Sequence, residues 1–429
     1  MNMKLPYRYR VLILLFFLIL ITYLDRFCIA LVGVEIKSEF NLTNGQFGWV
    51  VSAFALAYAL FEIPSAVLGD RIGQRSVLIR IVLWWSLFTA LTGLTTGFVS
   101  LIVVRFLFGM GEAGAFPNSS GVVSHWFPAR ETARSISSLF IGLNAGAAIA
   151  PLIVIPIAAA FGWRSSFFVN GFIGLVWVLV CFVWFKNNPS DVKKISKEER
   201  DYIEKERPFI NRHQALSWKK ALANPSLRAL VIAFFCSQWG LFFFVSWMPV
   251  YLQEGRHFSK ADVKIISSSL FIFGIAGSIF SGWLSDWMVK RKGLRFGRRF
   301  IGAFALGFLG ISFFIDAITT NNTLAMVSLI TGYLIFSFNG IVSFSVCLDL
   351  GGNSAGTVAG IMNFFGQIGS FFLGIVFGKV ADYTHNFNAS LYVLAFVLCT
   401  GSLFWLAVDP RKKVIAESGH LLELLKIKA

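Results

Sequence analysis

Five ionisable residues of this chain stand where charge is expensive. Asp25, Arg26, Glu62, Arg105 and Glu112 all lie inside long apolar runs of the first half of the sequence. Near the centre of a bilayer each charge costs about 2.5 to 3.5 kcal/mol, so Asp25, Arg26, Arg105 and Glu112 would together cost roughly 10 kcal/mol if left unpaired. They must therefore face one another or a water-filled cavity. Arg105 and Glu112 are seven residues apart, two helical turns, and share one helix face; Tyr23 and Arg26 share a face of the first segment. An arginine fork binds a carboxylate through two parallel hydrogen bonds, and a positioned carboxyl group can carry a proton. Both halves of coupled anion and proton movement are thus present, with Gln238 and Asn363 as uncharged polar counterparts in the second half. The plainer alternative is a static ion pair. Glu62, just before Ile63 and Pro64, is open to three roles: a second proton carrier, a gate, or a structural partner of Arg80.

Helices in lipid must position these groups. Of 429 residues, 56% are apolar and only 14% charged, and there are 47 Phe and 13 Trp, against roughly 25% charged in an ordinary soluble domain. Twelve apolar runs are long enough to cross a bilayer, over residues 11–33, 47–68, 77–96, 98–120, 134–160, 165–185, 229–252, 265–285, 299–318, 323–347, 355–380 and 389–408. The first carries Asp25 and Arg26 and no small-residue cleavage site, so it reads as a retained helix and not as a signal peptide. Trp84, Trp85, Trp239 and Trp247 are expected to face lipid or the interface, with Trp239 also a cavity candidate beside Gln238. The five cysteines are expected to be core thiols.

The net charge of +16 is gathered between the runs. Lys4, Arg8 and Arg10, the hydrophilic stretch that includes Arg207 and Arg212, Lys290 to Arg299, and Arg411 to Lys413 all fall on one side of an even-numbered topology. That is the positive-inside pattern and not a nucleic-acid footprint, so both termini are expected in the cytoplasm. The chain divides into an N-terminal six-helix bundle (1–186), a cytoplasmic linker (187–228) and a C-terminal bundle with a short tail (229–429). The halves repeat. Asp70 and Arg75 follow the second segment as Asp286 and Arg291 follow the eighth, at an offset of 216, and Asn144 and Asn363 stand 219 apart. An all-α membrane protein of two pseudo-symmetric bundles is implied. The repeated charges Asp70, Arg71, Arg75, Asp286 and Arg291 suit an ion-pair latch that opens when the protein faces inward.

Three motif matches are coincidental. Gly109-Met-Gly111-Glu112-Ala113-Gly114 fits GxGxxG but lies within an apolar helix without a preceding strand, so its glycines read as close helix packing. Gly352 to Gly356 fits GxSxG without a strand-to-helix elbow. Gly378-Lys379-Val380 lacks the hydroxyl and first glycine of a phosphate loop, so no ATPase is expected and transport must draw on an ion gradient.

The turn Gly69 to Arg75 resembles the loop between helices 2 and 3 of the major facilitator superfamily, with Ala66 where glycine is commoner and Gln74 where a basic residue is. More narrowly, Tyr23-Leu24-Asp25-Arg26, Phe61-Glu62-Ile63-Pro64-Ser65 and Arg105 through Asn118 resemble the anion:cation symporter family, which includes bacterial sugar-acid and phthalate permeases, vesicular glutamate transporters and sialin. The resemblance implies that Asp25 and Glu112 couple protons, that Arg26 and Arg105 handle the substrate carboxylate, and that Gln238 and Asn363 contact it from the other bundle. The seventh segment carries Ser237 and Gln238 but no basic residue, unlike members that bind dicarboxylic amino acids there. The expectation is a monomeric symporter of an organic monocarboxylate, driven by the proton gradient, without other cofactors, in a bacterial inner membrane. A proton-antiporting exporter, suggested by Gly142, Gly146 and Pro151, and a transporter-like receptor signalling through the linker are the competing readings.

Overall fold

The computed structural model describes residues 5–205 and 217–414. Lys4, the linker segment with Arg207 and Arg212, and the tail from 415 lie outside the described residues. Among the described residues, twelve helices are long and apolar enough to span a membrane. We number them α1 (Tyr7–Leu31), α2 (Asn44–Ile72), α3 (Gln74–Thr92), α4 (Phe98–Trp126), α5 (Ala129–Phe161), α6 (Trp163–Trp184), α7 (Pro225–Ser246), α8 (Lys260–Lys292), α9 (Leu294–Ile318), α10 (Asn322–Gly351), α11 (Ala355–Thr384) and α12 (Phe387–Trp405). They form two six-helix bundles. Several overrun their apolar sequence by one or two turns, α8 most of all, because polar residues at a helix end stay helical beyond the hydrocarbon core.

The duplication is visible in the turns. Gly73 at φ 89° joins α2 to α3, and Gly293 at φ 83° joins α8 to α9; Gly162 at φ 81° before α6 is matched by His385 at φ 50° before α12. A left-handed residue reverses the chain there with the fewest connecting atoms, and glycine adopts it without strain.

The outer faces suit lipid. On α6, Phe172, Leu179 and Val183 are more than 60% exposed. Of the four tryptophans expected there, however, only Trp84 is exposed; Trp85, Trp239 and Trp247 are buried between helices. The indole is large enough to fill gaps between helices, and an apolar sequence cannot show which face of a helix meets a neighbour. Among the cysteines, Cys399 is exposed on α12 while the other four are buried.

Glycines set the helix spacing. A Cβ on Gly146 would lie 2.1 Å from the Leu20 carbonyl oxygen, so α5 sits directly on α1; Gly142 meets Phe16 in the same way. Gly109 of α4 rests on the Phe54 carbonyl of α2 and Gly111 on the Trp84 ring, which is close packing as the sequence suggested. Gly114, at φ 93°, breaks α4 immediately after Glu112.

The bundles meet along α2 with α11 and α5 with α8, and the contact is uneven. On α11, added Cβ atoms at Gly374 and Gly378 would strike Ser52 and Asn44 of α2, whereas Gly356 and Gly360 near its start have nothing within 4 Å. The helices therefore splay toward the face where α1 begins and α12 ends, called here the terminal face, and close at the opposite face.

Candidate functional site

Between the bundles, α1, α2, α4 and α5 on one side and α7, α8, α10 and α11 on the other enclose a cavity lined by Tyr23, Arg26, Tyr58, Glu62, Arg105, Asn144, Gln238 and Asn363 among others. Its wall is mainly aromatic and aliphatic, so each polar group stands out.

Arg26 is fixed from several directions. Its Nε donates to Glu112 of α4. The guanidinium carbon lies 4.9, 5.0 and 4.7 Å from the ring centroids of Tyr23, Phe54 and Tyr58, positions at which ring faces attract a cation. One terminal nitrogen approaches the Tyr23 hydroxyl at 3.5 Å, as their shared helix face requires. Arg105 differs. It is 2% exposed and lies 4.2 Å from the Phe108 ring centroid, and its Nε has no hydrogen-bond partner. A cavity-lining guanidinium that forms no salt bridge among the described residues is a ready receptor for a carboxylate that arrives.

Asp25 does not pair with its neighbour Arg26. Consecutive helical residues diverge by about 100°, and Asp25 turns into the N-terminal bundle beside Thr89 and Trp85 of α3. It is 1% exposed and neither carboxylate oxygen has a partner; Glu112 Oε2, Trp85 Nε1, Ser86 Oγ, Thr89 Oγ1 and both amide atoms of Asn170 are likewise unpartnered. The bundle thus holds a second polar interior behind the cavity. Its α3 and α6 members escaped sequence reading because a lone Ser, Thr or Asn in an apolar run carries no signal of its own.

Glu62 resolves one of its three roles negatively. Arg80 is exposed on α3, so the two are not structural partners. Glu62 instead reaches across the interface, where Asn363 Nδ2 donates to both of its oxygens at 2.6 and 2.7 Å. The equivalent Asn144 of α5 also makes a cross-bundle bond, accepting from the Tyr333 hydroxyl at 3.0 Å. The repeated asparagines therefore occupy equivalent interfaces. Gln238 faces the cavity, while its neighbour Ser237 accepts from Asn339 at 2.7 Å within the C-terminal bundle.

The two ends of the interface differ. At the terminal face Asp70, Arg71 and Asp286 are exposed and form no ion pair among the described residues, Arg291 lies over the Trp287 ring, and Arg75 donates to the Phe182 carbonyl inside its own bundle. At the opposite face Lys37 pairs with Glu254 and Lys260 with Glu35, each across the bundles. Asp382 of α11 accepts from the backbone N–H groups of Asn44 and Gly45 at 2.9 and 2.7 Å, capping the start of α2. These cross-bundle contacts carry no signal in the sequence because the partners are 217 to 338 residues apart.

Comparisons with known proteins agree with this geometry. Over 420 residues, spanning 96% of both chains, the sequence is 31% identical to a probable sulfoacetate transporter of Cupriavidus necator. It is 31% identical to the hexuronate transporter of Bacillus subtilis, over 93% of this chain and 92% of that one. It is 30% identical to a D-galactonate transporter of Escherichia coli, over 95% and 97%. A bacterial homologue of the human lysosomal transporter Spinster, solved in an inward-facing, unoccupied conformation, has the same fold, with a TM-score of 0.75 at 18% identity over 97% of this chain and all of that one. Twelve spans in two repeated bundles, a polar cavity at their interface and a match of residues 15–374 to the Major Facilitator Superfamily lead to one assignment: the chain belongs to that superfamily and is a membrane transporter, not an enzyme.

Proposed function

We propose that this protein is a proton-coupled symporter of a small organic monocarboxylate, working by alternating access with both termini and the linker in the cytoplasm. The observation that carries the reading is Arg105 on the cavity wall beside the Arg26–Glu112 pair, its Nε without a hydrogen-bond partner and its guanidinium in no salt bridge among the described residues. A substrate carboxylate that engages Arg105 and then Arg26 competes with Glu112 for the latter. A displaced Glu112 would be a buried charge without a partner, and breaking a buried pair in that way costs about 3 to 5 kcal/mol. Taking up a proton removes that cost. Anion binding and protonation then favour each other, as a symporter needs. Asp25, enclosed behind the cavity beside Thr89 and Trp85 and within the influence of Glu112 and Arg105, serves as the second proton station on this reading.

Closure of the opposite face and separation of the repeated charges at the terminal face fit an inward-facing state. Asp70, Arg71, Arg75, Asp286 and Arg291 would then close the terminal face in the outward-facing state. The basic residues at the terminal face favour a cytoplasmic orientation, and the sugar-acid transporters among its relatives favour a bacterial inner membrane. Gly142 and Gly146 pack α5 on α1 inside one bundle, so they lend the exporter reading no separate support. The test is uptake of labelled D-galactonate, a hexuronate and sulfoacetate into vesicles containing the purified protein, with and without an inward proton gradient. Accumulation of at least one anion only with the gradient is expected; uptake that ignores the gradient overturns the coupling.

A further inference from the structure

The cavity wall carries two chemically opposite sets of groups. Toward α1 and α4 it presents Arg26 and Arg105, whose guanidinium groups donate hydrogen bonds and cannot accept them. Toward α2 and α11 it presents Glu62, only 8% exposed, whose two oxygens accept from Asn363 Nδ2 at 2.6 and 2.7 Å. The carboxylate fixes the amide's orientation. Only the NH₂ group of asparagine can donate to it, so Asn363 Oδ1 is turned away, as a further acceptor on the same wall. No basic side chain of α7, α8, α10 or α11 lines the cavity to offset Glu62. The α2 and α11 wall therefore carries a carboxylate and an amide oxygen with no basic side chain of the C-terminal bundle to offset them, and Phe116, Phe140 and Phe344, whose mutual centroid distances are 5.3 to 6.3 Å, line the same cavity.

We infer that Glu62, positioned by Asn363, is the specificity determinant of the site: it admits a monocarboxylate whose far end carries a hydroxyl donor and rejects one whose far end is a second carboxylate. The inference rests on the symporter reading for the idea that the arginines take the first carboxylate. A hydroxyl at the far end finds acceptors in Glu62 and Asn363 Oδ1. A carboxylate there meets the like charge of Glu62 inside a mainly apolar wall, with no basic side chain of α7, α8, α10 or α11 beside it. Rejection by a built-in repulsive group discriminates more sharply than a lost attraction. Such discrimination is relevant here because some relatives, about 30% identical, are named as probable galactarate/D-glucarate transporters, whose substrates are dicarboxylates.

D-galactonate and galactarate form a matched pair, with the same six-carbon polyol but a terminal hydroxyl in one and a terminal carboxylate in the other. Their binding to the purified full chain in nanodiscs, measured by calorimetry at fixed pH, needs no gradient and so reads selectivity apart from coupling. The wild type is expected to bind galactonate at least tenfold more tightly than galactarate. Glu62→Gln keeps an acceptor for Asn363 but removes the charge, and should reduce that ratio to within about threefold. Asn363→Ser keeps the charge and loses the positioning bond; it should weaken both ligands yet retain most of the preference. A tenfold preference persisting in Glu62→Gln, its collapse in Asn363→Ser with Glu62 intact, or a wild type that binds galactarate as well as galactonate or binds neither, each overturns the inference. A wild type with the expected preference but no gradient-driven uptake would instead overturn the symporter reading and leave the selectivity standing.

Discussion

Asp382→Ala should open the face that the structure holds closed. Asp382 accepts from the Asn44 and Gly45 N–H groups at the start of α2, across the bundle interface. The local cap of α2 does not depend on it, because Thr43 Oγ1 already accepts from Gln46 N and the Gln46 side chain accepts from Thr43 N. The loss therefore falls on the interface and not on the helix. Hydrogen bonds to a charged group contribute about 1.5 to 3 kcal/mol each. Asp382 is only partly buried and water competes for it, so about 2 kcal/mol for the pair is a reasonable magnitude. In the alternative state, with this face open, both N–H groups meet water and nothing is lost. The closed population should thus fall by roughly thirtyfold relative to the open one. Spin labels at Ser38 and Tyr383, exposed positions on the two bundles at this face, report the change by double electron–electron resonance once Cys399 is replaced by Ser. The wild type should give one short distance and Asp382→Ala an added longer population. Superimposable distributions would refute the assignment of Asp382 to the gate.

Two further outcomes follow from the site and the charge pattern. If Arg105 grips the substrate through its planar fork, Arg105→Lys should weaken substrate binding at least tenfold, with Arg26→Lys impaired less because Glu112 still competes for that position; wild-type affinity in Arg105→Lys would refute Arg105 as the carboxylate receptor. Reporter fusions after Ser190 and after Ala429 should both read cytoplasm, and an outside reading at either would contradict the proposed orientation.

The number of spans, the repeat and the arginine and glutamate at the site were legible because each leaves a local trace. Apolar runs of membrane length can be counted, Asp70 and Asp286 recur at a fixed offset, and a charge such as Arg105 stands out in a run of Phe, Leu and Val. Pairings were less legible. Arg26 and Asp25 are neighbours in sequence yet turn to different surroundings, and Arg26 pairs instead with Glu112, 86 residues away. Glu62 bonds to Asn363 and not to Arg80, because α2 meets α11 at the interface while Arg80 sits exposed on α3. The closed gate was invisible for the same reason: Asp382, Lys37 and Glu254 look like ordinary loop and helix-end charges until the bundles are placed face to face. Buried tryptophans such as Trp247 show that residue type alone does not distinguish a lipid face from a helix contact.

On the proposed mechanism Glu112 must be protonated when the anion takes over Arg26. Glu112→Gln imitates the protonated form permanently, so it separates binding and exchange from coupling. In reconstituted vesicles, with folded yield matched to wild type, Glu112→Gln should lose accumulation driven by a proton gradient while retaining counterflow of the same labelled monocarboxylate. Gradient-driven accumulation at the wild-type level in Glu112→Gln would contradict it and show that the coupling proton travels by another group.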